Sequence, residues 1–139
     1  TPFRDNGDVD FETAKKLAIA LAKSGSNGIL LGGTTGESPT LSDEEKLKLF
    51  ETVKNSVGNS ITVIAGTTDN NTTKSIELSR SAEDLGVDAL LLTVPAYNKP
   101  TQDGLIKHFN EIADSVNIPG ILYSFVLDNQ MNWVNIRVK

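Results

Sequence analysis

The fold is decided by a short apolar run, Gly28-Ile29-Leu30-Leu31-Gly32, in which apolar and polar residues do not alternate. Three further runs of this kind follow at residues 61–65, 89–94 and 120–125. Runs without alternation are typical of strands that are buried on both faces of a parallel sheet. Their starts at positions 29, 61, 89 and 121 lie 28 to 32 residues apart, about the length of one strand–helix unit. The sequence therefore predicts a repeat of βα units.

Amphipathic segments separate the apolar runs. The expected helical faces are those of Ala14, Leu17, Ala18 and Leu21; of Leu47, Phe50, Val53 and Val57; of Ile76, Leu78, Ala82 and Leu85; and of Leu105, Phe109, Ile112 and Val116. Ser42 and Glu45 have the spacing of a capping box, which marks the start of a helix. Gly58 and Gly86 stand where the second and third helices are expected to end, since glycine commonly follows the last helical residue.

Two parallel architectures fit this order of elements, an open doubly wound sheet and part of a (β/α)8 barrel. Periodicity alone does not separate them. A complete barrel takes about 250 residues, whereas this chain has 139. If the chain belongs to a barrel, it is half of one. The predicted α/β fold is then a partial (β/α)8 TIM barrel, with about four βα units plus a fifth strand. The extra strand is a remnant at residues 1–3, Thr-Pro-Phe.

The composition excludes several classes of protein. No apolar run approaches the roughly 18 residues that cross a bilayer. Asp and Glu total 18 against 13 for Lys and Arg, a net charge of −5, which disfavours binding to nucleic-acid phosphates. Without Cys, and with one His, the chain has neither a disulfide framework nor a metal-ligand set. We expect a cytoplasmic protein with no membrane, nucleic-acid or metal partner.

The first candidate site is the turn after the first apolar run, residues 32–38, Gly-Gly-Thr-Thr-Gly-Glu-Ser. In both architectures the reactive groups lie beyond the carboxyl ends of the strands. Two hydroxyls and free backbone N–H groups in this turn suit a small anion such as a carboxylate or phosphate. The turn matches neither the Walker loop nor the dinucleotide fingerprint. The alternative is a βα turn whose hydroxyls only satisfy nearby backbone groups.

Three further residues are candidates for chemistry. Tyr97 lies in a long polar loop, residues 95–104, and loops at this edge often hold functional side chains. From the residues alone, a tyrosine at this place more often only covers the top of the sheet. Tyr123 lies inside an apolar run, where a tyrosine is more often a core residue than a proton donor. His108 has no second ligand residue near it and is interpreted as a helix-face residue.

Together these segments resemble the dihydrodipicolinate synthase family of pyruvate-dependent aldolases and lyases, which includes N-acetylneuraminate lyase. The resemblance rests on residues 33–38 (Gly-Thr-Thr-Gly-Glu-Ser), residues 97–104 (Tyr-Asn-Lys-Pro-Thr-Gln-Asp-Gly) and Tyr123. The opening residues 1–3 and the capping stretch at residues 40–45 fit as well. The resemblance runs continuously from Thr1 to about Tyr123.

The resemblance implies a (β/α)8 barrel in which a lysine on the sixth strand forms a Schiff base with pyruvate, whose enamine attacks aspartate semialdehyde. It implies no separate cofactor. Thr35 and the backbone N–H groups of the turn that includes Gly36 would hold the pyruvate carboxylate. Tyr123 would act as general acid and base, and Thr34 would link its hydroxyl to that of Tyr97. In the family the counterpart of Tyr97 enters a neighbouring subunit's site, which implies a homo-oligomer.

After Tyr123 the sequence departs from the family pattern. Asp128 stands where the family has an arginine for the second substrate's carboxylate, and a carboxylate there would repel it. The Schiff-base lysine normally lies further along the chain, and Lys139 ends a strand-like run instead. We therefore expect residues 1–125 to form the N-terminal half of a barrel. Residues 126–139 are expected to be a divergent tail, with an extra strand as one arrangement.

Three functions stay open from the sequence. The first is a truncated enzyme of lysine biosynthesis that is inactive by itself, because the amine nucleophile is not at its expected place. The second is a non-catalytic half-barrel module that binds small carboxylates or phosphates and associates with itself. The third is an open-sheet domain that binds a phosphorylated ligand at residues 34–38.

Overall fold

The computed structural model describes residues 1–97 and 99–123. Within them, four helices alternate with four strands, and two short 3₁₀ turns follow the first strand. The elements in chain order are α1 (Phe11–Lys23), β1 (Gly28–Leu31), 3₁₀ turns at Thr34–Gly36 and Ser38–Thr40, α2 (Asp43–Val57), β2 (Thr62–Gly66), α3 (Thr72–Asp84), β3 (Ala89–Thr93), α4 (Gln102–Asp114) and β4 (Gly120–Tyr123). The predicted repeat of βα units is confirmed.

Local sequence signals mark the helix ends as expected. The capping box at α2 is complete: Glu45 N–H donates to Ser42 Oγ at 3.2 Å, and Ser42 N–H donates to Glu45 Oε2 at 2.9 Å. These bonds satisfy backbone donors that have no partner within the helix. Gly58 follows α2 with φ of 56° and Gly86 follows α3 with φ of 79°, a conformation that glycine adopts without steric cost.

The strands form one parallel sheet in the order β1-β2-β3-β4, the order of the chain. Crossovers between parallel strands are right-handed in nearly all proteins, so a sheet that grows in one direction has all its crossover helices on one face. A doubly wound sheet reverses direction and carries helices on both faces. The sequential order therefore identifies a partial barrel.

The two faces of the sheet differ in burial, as a barrel requires. On the face beneath the helices, Val63, Ala65 and Leu90 are fully buried. On the opposite face, which would be the barrel interior, Leu30, Ile121 and Tyr123 are 45%, 44% and 49% exposed. Barrel interiors are filled by side chains from all eight strands, and the described residues supply four of those strands.

The segment at residues 1–3 differs from the prediction. It does not add a strand to the described sheet; Phe3 instead forms an isolated antiparallel bridge with Val9. The chain reverses through Gly7, whose φ is 89°, and Asp10 N–H then donates to Pro2 O at 2.9 Å. A local turn therefore supplies the backbone partners that a neighbouring strand would otherwise provide. The predicted boundary after residue 125, the tail at 126–139, Asp128 and Lys139 all lie outside the described residues.

An ion pair fixes the amino-terminal edge of the sheet. Lys54 Nζ on α2 donates to both carboxylate oxygens of Asp88, at 2.8 and 2.9 Å. Asp88 Oδ2 also accepts from Val63 N–H at 2.8 Å, so one carboxylate joins α2, β2 and the start of β3. Burial alone would raise the pKa of Asp88, but the bonds from Lys54 and Val63 outweigh it and the pKa lies below its usual value.

Replacing this carboxylate should destabilise the fold. For Asp88→Asn we expect a loss of about 1.5–3 kcal/mol in the free energy of unfolding, the usual contribution of hydrogen bonds to charged groups. Urea titration at neutral pH measures it. The control is Glu111→Gln, which removes an exposed pair with Lys107 at 3.8 Å and should cost no more than about 0.5 kcal/mol. Equal losses in the two variants would contradict the assignment.

Candidate functional site

The carboxyl-terminal edge of the sheet gathers the predicted site residues. The turn with Thr34, Thr35 and Gly36 follows β1, Tyr97 follows β3, and Tyr123 is the last residue of β4. A fourth segment, residues 67–71, follows β2 at the same edge. Parallel strands expose all these loops at one end of the sheet.

Two glycines bring β1 and β2 into close approach below the turn. Gly32 has φ of 67°. A Cβ added at Gly66 would lie 2.9 Å from the carbonyl carbon of Gly32 and 3.2 Å from Leu31 O. The first distance is one that real Cβ atoms essentially never show and the second is unusually tight, and because both neighbours are backbone atoms, β2 needs glycine at this position. The close approach fixes where the chain leaves β1 and therefore where the turn begins.

The turn itself uses only some of its hydrogen-bonding groups internally. Gly36 N–H donates to Gly33 O at 2.9 Å, and Glu37 N–H donates to Thr34 O at 3.0 Å. Within the described residues, the N–H groups and hydroxyls of Thr34 and Thr35 have no hydrogen-bond partner, and both side chains are exposed. Four donors are thus available in two consecutive residues. They suit the oxygens of a small carboxylate.

Gly36 differs from the two threonines. Its N–H is already engaged with Gly33, and its carbonyl oxygen accepts a bond from the Thr1 hydroxyl. Its contribution as a backbone donor to a ligand stays a prediction.

Tyr97 lies in a strained and exposed loop. Its φ is 72°, that of Lys99 is 43°, and the Tyr97 side chain is 97% exposed. Left-handed backbone is unfavourable for residues with a Cβ and concentrates at functional sites. The ring therefore projects away from the described part of the chain. That position does not fit the alternative in which Tyr97 covers the sheet.

Tyr123 occupies the helix-free face of β4. It pairs in register with Thr93 and is half exposed, so it is not a core residue within the described part of the chain. Among residues 1–97 and 99–123, no hydrogen bond joins the hydroxyls of Thr34, Tyr97 and Tyr123 to one another. The predicted relay between them stays a prediction.

A polar network after β2 was not expected from the sequence. Thr93 N–H donates to Thr68 Oγ1 at 2.8 Å, and the side chain of Asn70 bonds both backbone groups of Ala96. Deeper in the same segment, the Thr67 hydroxyl lies 2.8 Å from the hydroxyl of Ser79 on α3, and both residues are fully buried. The sequence signal that could have revealed this network is the run of Thr, Asp and Asn that directly follows a predicted strand.

His108 lies on α4 as predicted, but it is turned inward. Its Nδ1 is 2.9 Å from Thr72 Oγ1, and its buried Nε2 has no partner within the described residues. Burial lowers the pKa of His108, while Glu111 opposes the shift. This side chain therefore joins the start of α3 to α4 rather than facing solvent.

Neither a metal cluster nor a membrane-spanning helix is found in the described residues. In the described ranges, no cluster of three or more His, Cys, Asp or Glu side chains is arranged to hold a metal ion. No helix in the same ranges combines the length and apolar character needed to span a membrane.

Comparison with known families identifies the lineage. The sequence profile of the Dihydrodipicolinate synthetase family matches residues 1–132. The chain belongs to the dihydrodipicolinate synthetase family. Among curated members of this family, the 4-hydroxy-tetrahydrodipicolinate synthase of Symbiobacterium thermophilum is 54% identical over 124 residues. That match covers 89% of this chain and 42% of the relative.

Solved structures of dihydrodipicolinate synthases have the same fold. The enzyme from Bacillus anthracis aligns with a TM-score of 0.86 at 49% identity, and covers 88% of this chain. The enzyme from Acinetobacter baumannii, solved in complex with pyruvate, aligns with a TM-score of 0.86 at 45% identity and the same coverage of this chain. In both cases this chain spans 42% of the relative's length. The resemblance stated from the motifs and the partial (β/α)8 barrel are confirmed.

Gly66→Ala should disturb the turn through the close approach to Gly32. We expect a loss of about 1–3 kcal/mol in the free energy of unfolding, because the new methyl group overpacks two backbones. Shifted amide resonances of residues 34–36 should accompany the loss.

Gly28→Ala is the matched control, since its Cβ would meet Thr62 O at an ordinary 3.4 Å. We expect no comparable loss in that variant. A Gly66→Ala variant as stable as Gly28→Ala, with unshifted amides in the turn, would show that the close approach is not needed.

Proposed function

We propose that this chain provides the pyruvate-carboxylate site and the proton-transfer tyrosine of a 4-hydroxy-tetrahydrodipicolinate synthase. That enzyme condenses pyruvate with aspartate semialdehyde in lysine biosynthesis through a Schiff base. The observation that carries the proposal is the pair Thr34 and Thr35, whose N–H groups and hydroxyls have no partner in the described part of the chain. Curated relatives named for this activity support it. Because the chain spans 42% of their length, the activity belongs to the proposal.

The turn would orient pyruvate for attack by an amine. Thr35 Oγ1 and the N–H groups of Thr34 and Thr35 would bind the carboxylate, which leaves the neighbouring ketone carbon facing the barrel interior. Strands β1 to β4 contain no lysine, so the amine must come from outside them. Charge-assisted hydrogen bonds to a carboxylate are stronger than neutral ones, so these donors would hold pyruvate in place while the amine attacks.

Tyr123 would move protons during imine formation. The amine adds to the ketone carbon, its two protons are transferred in turn to the former ketone oxygen, and water leaves as the C=N bond forms. A phenol on the helix-free face of β4 is suited to this transfer because Tyr123 is half exposed on that face. Thr34 would pass the proton between Tyr123 and Tyr97.

Tyr97 supports a homo-oligomer in this proposal. A side chain that is 97% exposed on the described part of the chain is free to insert into a neighbour's site. The predicted oligomer and the cytoplasmic location stay predictions.

A second candidate is a non-catalytic half-barrel module that binds carboxylates and associates with itself. Two observations favour it: the described strands carry no amine, and their interior face leaves Leu30 and Ile121 exposed. Exposed apolar area costs about 25 cal/mol per Å², so this face favours association. On this view pyruvate binds but does not react.

Thr35→Val should weaken pyruvate binding by about one to two orders of magnitude. Valine keeps the shape of threonine but removes one hydroxyl donor to a charged ligand, which is worth about 1.5–3 kcal/mol. Titration followed by amide shifts of residues 34–37 measures the dissociation constant. The control is Thr62→Val at the opposite end of the sheet, where affinity should not change. Equal affinities for Thr35→Val and the unaltered chain would remove this turn as the site.

Reduction with borohydride tests whether this chain forms the imine by itself. We expect that this chain, incubated with pyruvate and borohydride, shows no stable mass increase, since the described strands offer no amine. Intact mass spectrometry gives the answer. An adduct mapped to a single lysine, and suppressed in Thr35→Val, would instead show that the chain forms the imine by itself. Acetate in place of pyruvate is the control for nonspecific modification.

A further inference from the structure

One side chain ties the loop after β2 to the loop that carries Tyr97. Asn70 Oδ1 accepts a hydrogen bond from Ala96 N–H at 2.8 Å, and Asn70 Nδ2 donates to Ala96 O at 3.3 Å. The two residues are 26 positions apart in the chain. One carboxamide therefore satisfies both backbone groups of the residue immediately before Tyr97.

The orientation of the Asn70 amide follows from its partner. Ala96 presents one donor and one acceptor, and only the arrangement with Oδ1 toward N–H and Nδ2 toward the carbonyl pairs both. Aspartate at this position would keep the first bond and lose the second. Alanine would lose both.

Asn70 is itself held on both sides. Asp69 N–H donates to the fully buried hydroxyl of Ser75 at 2.8 Å, and Asp69 Oδ1 accepts from Asn71 N–H at 2.7 Å. The side chain of Asn71 caps α3 by accepting from Thr73 N–H at 2.9 Å. The carboxamide thus projects from a segment that is fastened to the start of a helix.

The segment is also fastened to α4. Thr72, the first residue of α3, bonds the buried His108 ring through its hydroxyl. The platform behind Asn70 therefore includes two helices, whereas Tyr97 has a left-handed backbone and an exposed ring. Without a fixed point before it, such a residue would relax to the more favourable negative φ region.

We propose that Asn70 is a positioning residue for Tyr97. It holds Ala96 against the platform formed by residues 69–72, and so fixes the backbone from which the Tyr97 ring projects. The inference rests on the proposed function only for the role of Tyr97 in proton transfer, since the hydrogen bonds between Asn70 and Ala96 are present in this chain without substrate. A precisely held phenol is what a proton relay requires, because proton transfer demands hydrogen-bond distance and alignment.

The test follows the Ala96 amide and the Tyr97 backbone in three variants of the full chain. Asn70→Ala should speed hydrogen exchange at Ala96 about five- to tenfold. It should also change the three-bond HN–Hα coupling of Tyr97, which reports φ. Asn70→Asp should restore slow exchange at Ala96, because a carboxylate oxygen still accepts that N–H. Asn59→Ala, at an exposed asparagine with no hydrogen-bond partner in the described residues, should alter neither signal.

The outcomes separate a local clamp from a general loss of stability. The expected result is faster exchange confined to Ala96 and Tyr97 while the amides of β3 stay protected. Unchanged exchange at Ala96 in Asn70→Ala, faster exchange shared by β3, or no restoration in Asn70→Asp would each overturn the proposal. Thr35→Val should leave Ala96 exchange unchanged, so loss of pyruvate binding in that variant tests the proposed function separately.

Discussion

Right-handed crossovers between strands in chain order determine most of this structure. They place the crossover helices α2, α3 and α4 on one face of the sheet, which buries Val63, Ala65 and Leu90. The same rule leaves the other face without helices and directs all strand-to-helix loops to one edge. An apolar inner face and a polar carboxyl-terminal edge are therefore two results of one geometric constraint, and the proposed chemistry uses both.

The amino-terminal edge of the sheet carries stabilising contacts, and the carboxyl-terminal edge carries the proposed site. At the amino-terminal edge, Asp88 joins α2, β2 and β3 through charged hydrogen bonds. At the carboxyl-terminal edge lie all three non-glycine residues with positive φ in the described ranges, Glu37, Tyr97 and Lys99. Strain of this kind persists only where surrounding structure holds it. For Tyr97, the hydrogen bonds from the Asn70 side chain to the backbone of Ala96 hold the preceding residue in place. These bonds are not part of the β-sheet.

Sequence reasoning succeeded where the information is local or periodic. The Ser42–Glu45 capping box spans four consecutive residues, and the apolar runs reveal strands by composition alone. The prediction that residues 1–3 add a strand to the sheet was wrong. A nearby turn gives Phe3 an antiparallel partner, Val9, and strand periodicity does not reveal that partner. The turn after β1 was identified from its glycines and threonines. Its unpartnered donors became visible only when the internal bonds were known.

Contacts between distant segments escaped prediction for a physical reason. The bond from Asn70 to Ala96 depends on β2 and β3 being neighbours in register, and the need for glycine at Gly66 depends on its approach to Gly32 across two strands. Neither pair has a sequence signature, since asparagine and glycine are ordinary residues of loops. His108 was read as a helix-face residue, but its partner Thr72 lies 36 positions away.

The sheet's order also sets a condition on the proposed relay. Thr34 follows β1 and Tyr123 ends β4, the two edge strands of the described sheet. Three strand spacings of about 4.8 Å separate these strands by about 14 Å along the sheet, too far for a direct hydrogen bond in a flat arrangement. Barrel curvature turns interior-facing side chains toward a common axis, so Thr34 and Tyr123 approach one another only on the concave face. That face carries Leu30 and Ile121, which are exposed. Covering it with further strands would exclude water from the Tyr123 phenol and strengthen its hydrogen bonds, so closing the barrel would strengthen the Tyr123 end of the proposed relay, whose Tyr97 end is proposed to come from a neighbouring subunit.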